Sequence, residues 1–330
     1  MPRTKAPQSA AFRNTLTRMA VGLVVILCCL RVAAAAAPAR PATPPGWFHV
    51  ISIDASTYAI SEPKYWQGNV SYLLIGARRA LLFDTGPGIY SIRAVVASLT
   101  SLPLVVIPSH LHFDHVGDLE EFDDVRLLDT PALRAQVHEG YFVEPPSQYL
   151  LRTPIKYRVH GWIKDGETLD LGGRTVRLLS TPGHTPDSVS VIDAGGKRLF
   201  TGDLVNRIVT LCDVPGSSIN AMAASLQRLL EFGRPGSPSY EAHSESPITW
   251  PELEQLATGI GAIAGGRATS TAMCLGGTPM RRFNVGSFAV VLPTSSDATL
   301  KPLGSVTETL DWEGGECKTP SAIGQRNGEQ

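Results

Sequence analysis

Cysteine is scarce in this 330-residue chain: there are five, and Cys28 and Cys29 lie in an apolar stretch near the start. The other three, Cys212, Cys274 and Cys317, are odd in number and imply no disulfide framework. One bridge among them would suit an oxidising compartment, but the sequence does not choose its partners. An excess of one charge is also lacking, since 29 Lys and Arg stand against 30 Asp and Glu. The chain therefore has no basic footprint for nucleic acid. No repeat at a solenoid period is visible. With 43% hydrophobic residues and 31 Gly and 25 Pro spread along it, the chain has a globular composition.

The first 37 residues contain no acid, and they read as a secretory leader. Arg3, Lys5, Arg13 and Arg18 form a positive start, Met19 to Leu30 is an apolar run of 12, and Ala33 to Ala37 offers small residues for cleavage. Twelve apolar residues fall short of the ~20 that span a bilayer. A retained signal anchor is the alternative. Without residues 1–37 the chain has 24 basic against 30 acidic residues, a mildly acidic product expected in the periplasm or outside the cell, with no stable membrane association. Residues 38–46 form a Pro-rich linker, 47–293 the folded domain, and 294–330 a polar stretch read as a flexible tail.

Strand-like runs are predicted at Trp47 to Ile53, Val70 to Gly76, Ala80 to Asp84, Leu104 to Ile107, Val125 to Leu128, Thr175 to Leu179, Ser188 to Ile192 and Lys197 to Phe200. A short strand at Ser239 to Glu241 and a last one within 279–292 complete the set. Helices are predicted over Ile89 to Leu99, Ser218 to Phe232 and Pro251 to Ile263. Residues 138–165, rich in aromatics, suit either a cap beside a site or a surface insertion. Periodicity alone gives an α/β or α+β class with helix-covered sheets.

The chemistry is concentrated at strand ends. His110-Leu111-His112-Phe113-Asp114-His115 places four metal-ligand side chains in six residues directly after a buried-type strand, in a chain with only eight histidines. His110 and His112 point to the same side of an extended segment, and a following loop can turn Asp114 and His115 toward a second position. His184 in Thr181-Pro182-Gly183-His184-Thr185-Pro186, Asp203 in Thr201-Gly202-Asp203, and His243 also follow strands. Each alone would read as structural. Together they complete a site of imidazole and carboxylate, a donor set for zinc, iron or manganese. His138 and His160 lack such turns and are read as non-ligands.

This order of motifs resembles the metallo-β-lactamase superfamily of metallohydrolases over approximately Trp47 to Ile263. The resemblance implies an αββα four-layer sandwich of two mixed sheets with helices on the outer faces and a metal site at one sheet edge. It also implies that His110, His112 and His184 hold one zinc, that Asp114, His115 and His243 hold a second, and that Asp203 bridges them. Asp84 matches a family aspartate that orients a ligand from behind. The chain departs from the family at Asp187, where Gly is common, and at Ala242-His243-Ser244, where Gly-His-Gly is common.

Two metals about 3.5 to 4 Å apart can share a water and bring its pKa toward ~7, with no serine or cysteine nucleophile needed. Asp114 would ligate and orient that nucleophile, and Asp203 would set the metal separation. An aspartate at 203 resembles glyoxalase-II-like thioesterases, lactonases and related esterases, since zinc β-lactamases of this fold generally carry Cys or Ser there. The expected enzyme is an exported dizinc hydrolase of a small-molecule acyl substrate, whether lactone, ester or thioester. β-Lactam hydrolysis, or iron-dependent redox chemistry of the persulfide dioxygenase kind, would use the same scaffold. Tyr141, Tyr149 and Tyr157 are oxyanion candidates by location only.

Overall fold

The described residues form three five-stranded mixed sheets, and the strand directions of the first two decide where the polar side chains meet. The computed structural model describes residues 42–143, 155–193, 198–210, 216–275, 278–294 and 309–311. The leader expected over residues 1–37, residues 38–41 of the linker and most of the tail lie outside them.

The first sheet contains β1 (His49–Asp54), β2 (Thr57–Ser61), β3 (Val70–Ile75), β4 (Ala80–Phe83) and, after helix α1 (Arg93–Leu99), β5 (Leu104–Ile107). Its neighbours are antiparallel except β4 and β5, which are parallel. β4 reads Ala-Leu-Leu-Phe and every residue of it is buried, as a strand covered on both faces must be. The aromatic segment that follows is not a bare loop. After β6 (Arg126–Leu128) and helix α2 (Pro131–Gln136), it contributes to β7 (Val137–His138) and forms β8 (Tyr141–Val143), β9 (Lys156–Arg158) and β10 (Gly161–Ile163), with residues 144–154 outside those described. β7 to β9 make a small sheet, and β10 pairs with β6.

The second large sheet runs β11 (Thr168–Asp170), β12 (Thr175–Ser180), β13 (Val189–Asp193), β14 (Arg198–Gly202), and then, past β15 (Ile208–Thr210) and helix α3 (Ile219–Phe232), β16 (Ser239–Glu241). Alternation along these strands separates two apolar layers. Leu178, Val191 and Phe200 join the core shared with the first sheet, where the Tyr72 and Phe200 rings lie 5.0 Å apart. Leu179, Ile192 and Leu199 face the opposite way, into a core with α3 and helix α4 (Trp250–Ala264). The mixed sheets stacked between helices form the αββα arrangement. The last segment forms β17 (Thr271–Leu275), β18 (Thr278–Val285), β19 (Phe288–Pro293) and β20 (Thr309–Asp311). β20 pairs with β17 inside the segment expected to be a featureless tail; three residues are too short to show a period. Among the described residues, no helix is long and apolar enough to cross a membrane.

β12 and β14 are both antiparallel to β13, so they point the same way, and β16 is parallel to β14. Their carboxyl ends therefore share one edge. At that edge the two sheets are stitched together by backbone bonds, Val189 N–H to Ser109 O and Val70 N–H to Ala242 O, both 2.7 Å. The join leaves no room for a side chain at Gly202: its φ is +52°, and a Cβ there would lie 2.5 Å from the Ser109 side chain. We expect Gly202→Ala to destabilise the protein by ~1–3 kcal/mol, read as a lower urea midpoint with an unchanged slope. An unshifted midpoint would contradict this tight contact.

Candidate metal centre

Each residue singled out in the sequence sits just beyond the carboxyl end of a strand: Asp84 after β4, His110 to His115 after β5, His184 after β12, Asp203 after β14 and His243 after β16. Three groups of potential ligand atoms result, each with its atoms within 4.8 Å of one another: His110, His112 and His184; Asp114, His115 and His243; and His110, His115 and Asp203. The first two are the groupings expected for two cations. Asp203 lies between them, with Oδ2 at 3.6 Å from His184 Nε2 and Oδ1 at 3.6 Å from His115 Nε2. Its carboxylate also meets His243 Nε2 at 3.1 Å. His243, set in a departure from the family turn, is brought to the cluster with the rest.

Local chemistry holds each segment in place. The His184 turn closes through Thr181 N–H to Ser188 O at 2.8 Å and Gly183 N–H to Thr185 O at 3.1 Å. The Ser217 hydroxyl donates to His184 O at 2.6 Å, and Ser218, the α3 N-cap, donates its amide to Gly183 O at 2.9 Å. Asp84 adopts a left-handed φ of 68°, one of two such non-glycine residues among those described. From there its Oδ1 accepts from Ser109 N–H at 2.5 Å and its Oδ2 meets His115 Nδ1 at 3.0 Å. Gripping Nδ1 leaves His115 Nε2 turned toward the cluster.

Some contributors carry little or no sequence signal. Asp187 is visible in the sequence only as a departure from the family pattern, and its Oδ2 accepts the Leu111 amide at 2.9 Å, tying the His184 turn to the His110–His112 segment. Ser109 places its hydroxyl 3.0 Å from His110 Nδ1 and 3.3 Å from His115 Nδ1. The carbonyl of Gln67 lies 3.1 Å from His243 Nδ1, a role any residue type could fill. Outside the cluster, His160 Nδ1 accepts the Val125 amide at 3.1 Å and His138 is exposed on β7. Tyr157 is buried and stacked on Phe142 at 5.2 Å, Tyr141 is exposed, and Tyr149 lies outside the described residues.

The donor set fits a metal. His110 Nε2 and His184 Nε2 approach His112 Nδ1 at 2.8 and 3.1 Å, so three ring nitrogens converge on one point. His115 Nε2 is buried without a hydrogen-bond partner among the described residues, with carboxylate oxygens at 3.4 Å (Asp114 Oδ2) and 3.6 Å (Asp203 Oδ1). Convergent imidazole and carboxylate without thiolate suits a borderline cation.

The two halves differ electrostatically. Burial, helped by neighbouring rings, holds His110 well below the usual imidazole range and His112 at about 4. Burial also opposes charge on His115 and His243, but there Asp114, Asp84 and Asp203 outweigh it for His115, and Asp203 and Asp114 outweigh it for His243. His115 is raised well above the ordinary value and His243 to about 9.

A model of the family described as the Metallo-beta-lactamase superfamily matches residues 65–244. The chain is 27% identical over 212 residues to the acyl-coenzyme A thioesterase MBLAC2 of Gallus gallus, covering 56% of this chain and 76% of that protein. It is 26% identical over 174 residues to an atrochrysone carboxyl ACP thioesterase of Aspergillus chevalieri, covering 51% of each. Among solved structures, a metallo-beta-lactamase from Pontibacter korlensis superposes with a TM-score of 0.51 at 20% identity, covering 65% of this chain and 99% of that one, a likeness of fold.

Two outcomes follow from this geometry. His243 binds its proton more tightly in the folded chain (about 9) than at its ordinary value of 6.5. In protein stripped of metal by chelator its contribution to stability is therefore full below pH 6.5 and is lost as the pH climbs to about 9. His115, also raised, adds to the fall. The melting temperature of stripped protein should drop across that window, while metal-loaded protein, whose rings ligate in the neutral form, should not follow it. Parallel profiles would contradict this. For Asp84→Asn, which tolerates the left-handed φ, we expect metal affinity to weaken by ~10–100-fold in a chelator competition. Wild-type affinity would remove Asp84 from the ligand-orienting network.

Proposed function

The chain belongs to the metallo-β-lactamase superfamily and is a metal-dependent hydrolase, and from that premise we propose that it is an exported dizinc enzyme cleaving an acyl bond of a small molecule. One observation carries the proposal: donors from four strand ends meet as two groups of three, with Asp203 between them. His110, His112 and His184 would hold one zinc, and Asp114, His115 and His243 the other. Asp203 would serve both, because its carboxylate lies 3.6 Å from His184 Nε2 on one side and 3.6 and 3.1 Å from His115 and His243 Nε2 on the other.

When bound, the two ions supply an activated water at neutral pH and Lewis-acid polarisation of the scissile carbonyl. The chain's residues do the positioning. Asp114 would help hold the second ion and would orient the water. Asp203 fixes the spacing of the two halves. Asp84 keeps His115 Nε2 directed inward by holding Nδ1. His110 and His112, held neutral by burial, ligate without first losing a proton.

A lactone, an ester or a thioester would suit the site. The two thioesterases similar to this chain favour the thioester. Export is supported by the leader-like residues 1–37 and by Cys274, which is disulfide-bonded, as suits an oxidising compartment. The cysteines able to partner it lie outside the described residues.

The test is metal content by mass spectrometry on protein purified without added metal, followed by hydrolysis assays with an acyl thioester, a lactone and a cephalosporin. We expect about two zincs per chain, cleavage of the thioester or lactone, and loss of that activity by at least ~100-fold in Asp203→Ala. Iron in place of zinc, or cleavage of the cephalosporin alone, would refute the proposal.

A further inference from the structure

We infer that Asn69 is a positioning residue for the second cation site, holding the carboxylate of Asp114 by the oxygen that faces His115 and His243. The inference rests on the two-site reading proposed for the metal centre. Asn69 ends the loop between β2 and β3 and is buried, 2% exposed. Its side-chain Nδ2 donates to two oxygens of a single residue, Asp114 O and Asp114 Oδ2, both at 3.0 Å. Oδ2 is also the oxygen that lies 3.4 Å from His115 Nε2 and 3.7 Å from His243 Nε2. One amide thus grips both the backbone of Asp114 and the atom placed to ligate.

Chemistry fixes the orientation of this amide. Rotated by half a turn, it would set Oδ1 against a carbonyl and a carboxylate, three acceptors with no proton among them. In the observed orientation, Oδ1 is buried with no hydrogen-bond partner among the described residues. A side chain present only to fill volume would not leave a buried acceptor unpaired, because that costs stability. The unpaired oxygen is the consequence of pointing the amine at Asp114.

The loop that carries Asn69 is stiff. Tyr65 N–H bonds to Glu62 O at 2.9 Å, Gly68 N–H to Tyr65 O at 2.9 Å, and Glu62 N–H to Asn69 O at 2.8 Å, closing the loop on itself. Its far end is pinned by Val70 N–H to Ala242 O, beside His243. The same loop supplies the Gln67 carbonyl 3.1 Å from His243 Nδ1. Two of the three residues expected to hold the second cation are therefore oriented by one short segment. Both bonds of the Asn69 amine go to Asp114, a donor of the second group. The effect of Asn69 should therefore be selective for one site.

The experiment is a competition titration of the full chain with zinc and a chromophoric chelator, resolving stepwise affinities for wild type, Asn69→Leu and His243→Ala. Leucine is close to asparagine in size and removes the donors. The affinity step lost in His243→Ala should weaken about ten- to hundredfold in Asn69→Leu, with the other step within about twofold of wild type. In the acyl-hydrolysis assay kcat should fall while KM holds, because Asn69 acts on a ligand and not on substrate. Should Asn69→Leu fail to fold by circular dichroism, Asn69→Ala decides the same question. Wild-type affinities at both steps, or equal weakening of both, would overturn the inference while leaving two-zinc binding intact. A single step in wild type would overturn the two-site reading and the inference with it.

Discussion

Two buried carboxylates, Asp84 and Asp114, and the part-buried Asp203 are packed against five histidines at one edge of a β-sandwich, and such a concentration of polar groups is costly unless charge is compensated. Among themselves they compensate only in part. His115 and His243 are drawn toward the protonated form by the carboxylates, while His110 and His112 are held neutral. Ring nitrogens crowd to 2.8 and 3.1 Å around His112 Nδ1. Cations shared between these donors would satisfy both halves, and the surrounding fold is arranged to keep the donors in place.

That requirement reaches outward into the sheets. β12, β14 and β16 share a direction, so their carboxyl ends deliver His184, Asp203 and His243 to one edge, and the parallel pair β4 and β5 delivers Asp84 and His110 to His115. Backbone bonds from Val189 N–H to Ser109 O and from Val70 N–H to Ala242 O lock the two sheets at that edge. The inter-sheet core, with Tyr72 against Phe200, sets how far apart the ligand-bearing loops sit. Small shifts in a close-packed core would be felt directly in the spacing of the donors.

Much of this is legible from residues because the signal is local. His110 to His115 are adjacent in sequence, and the turn around His184 and the segment around Asp203 announce themselves through Pro and Gly after buried strands. Leu104–Ile107 and Ser239–Glu241 form strands as their composition predicts. β2 escapes the sequence pattern because Thr57 and Ser61 are buried at its ends, which breaks an apolar alternation, and a bulge at Ser52 to Asp54 precedes it. The small strands between residues 137 and 163 are two or three residues long, below any readable period. The orienting contacts from Gln67, Asn69 and Asp187 join residues 45 to 176 positions apart, and one of them uses only a backbone oxygen. Such contacts exist only once the topology has formed.

The proposed chemistry depends on this edge holding two metal ions with Asp203 between them. Anomalous diffraction from crystals of the untreated protein, recorded on both sides of the zinc absorption edge, would show this without relying on any substrate. Two peaks about 3.5 to 4 Å apart are expected, one among His110, His112 and His184, the other among Asp114, His115 and His243, with the Asp203 carboxylate between. A single peak, or two peaks with Asp203 turned away from both, would be incompatible with a shared, aspartate-bridged centre.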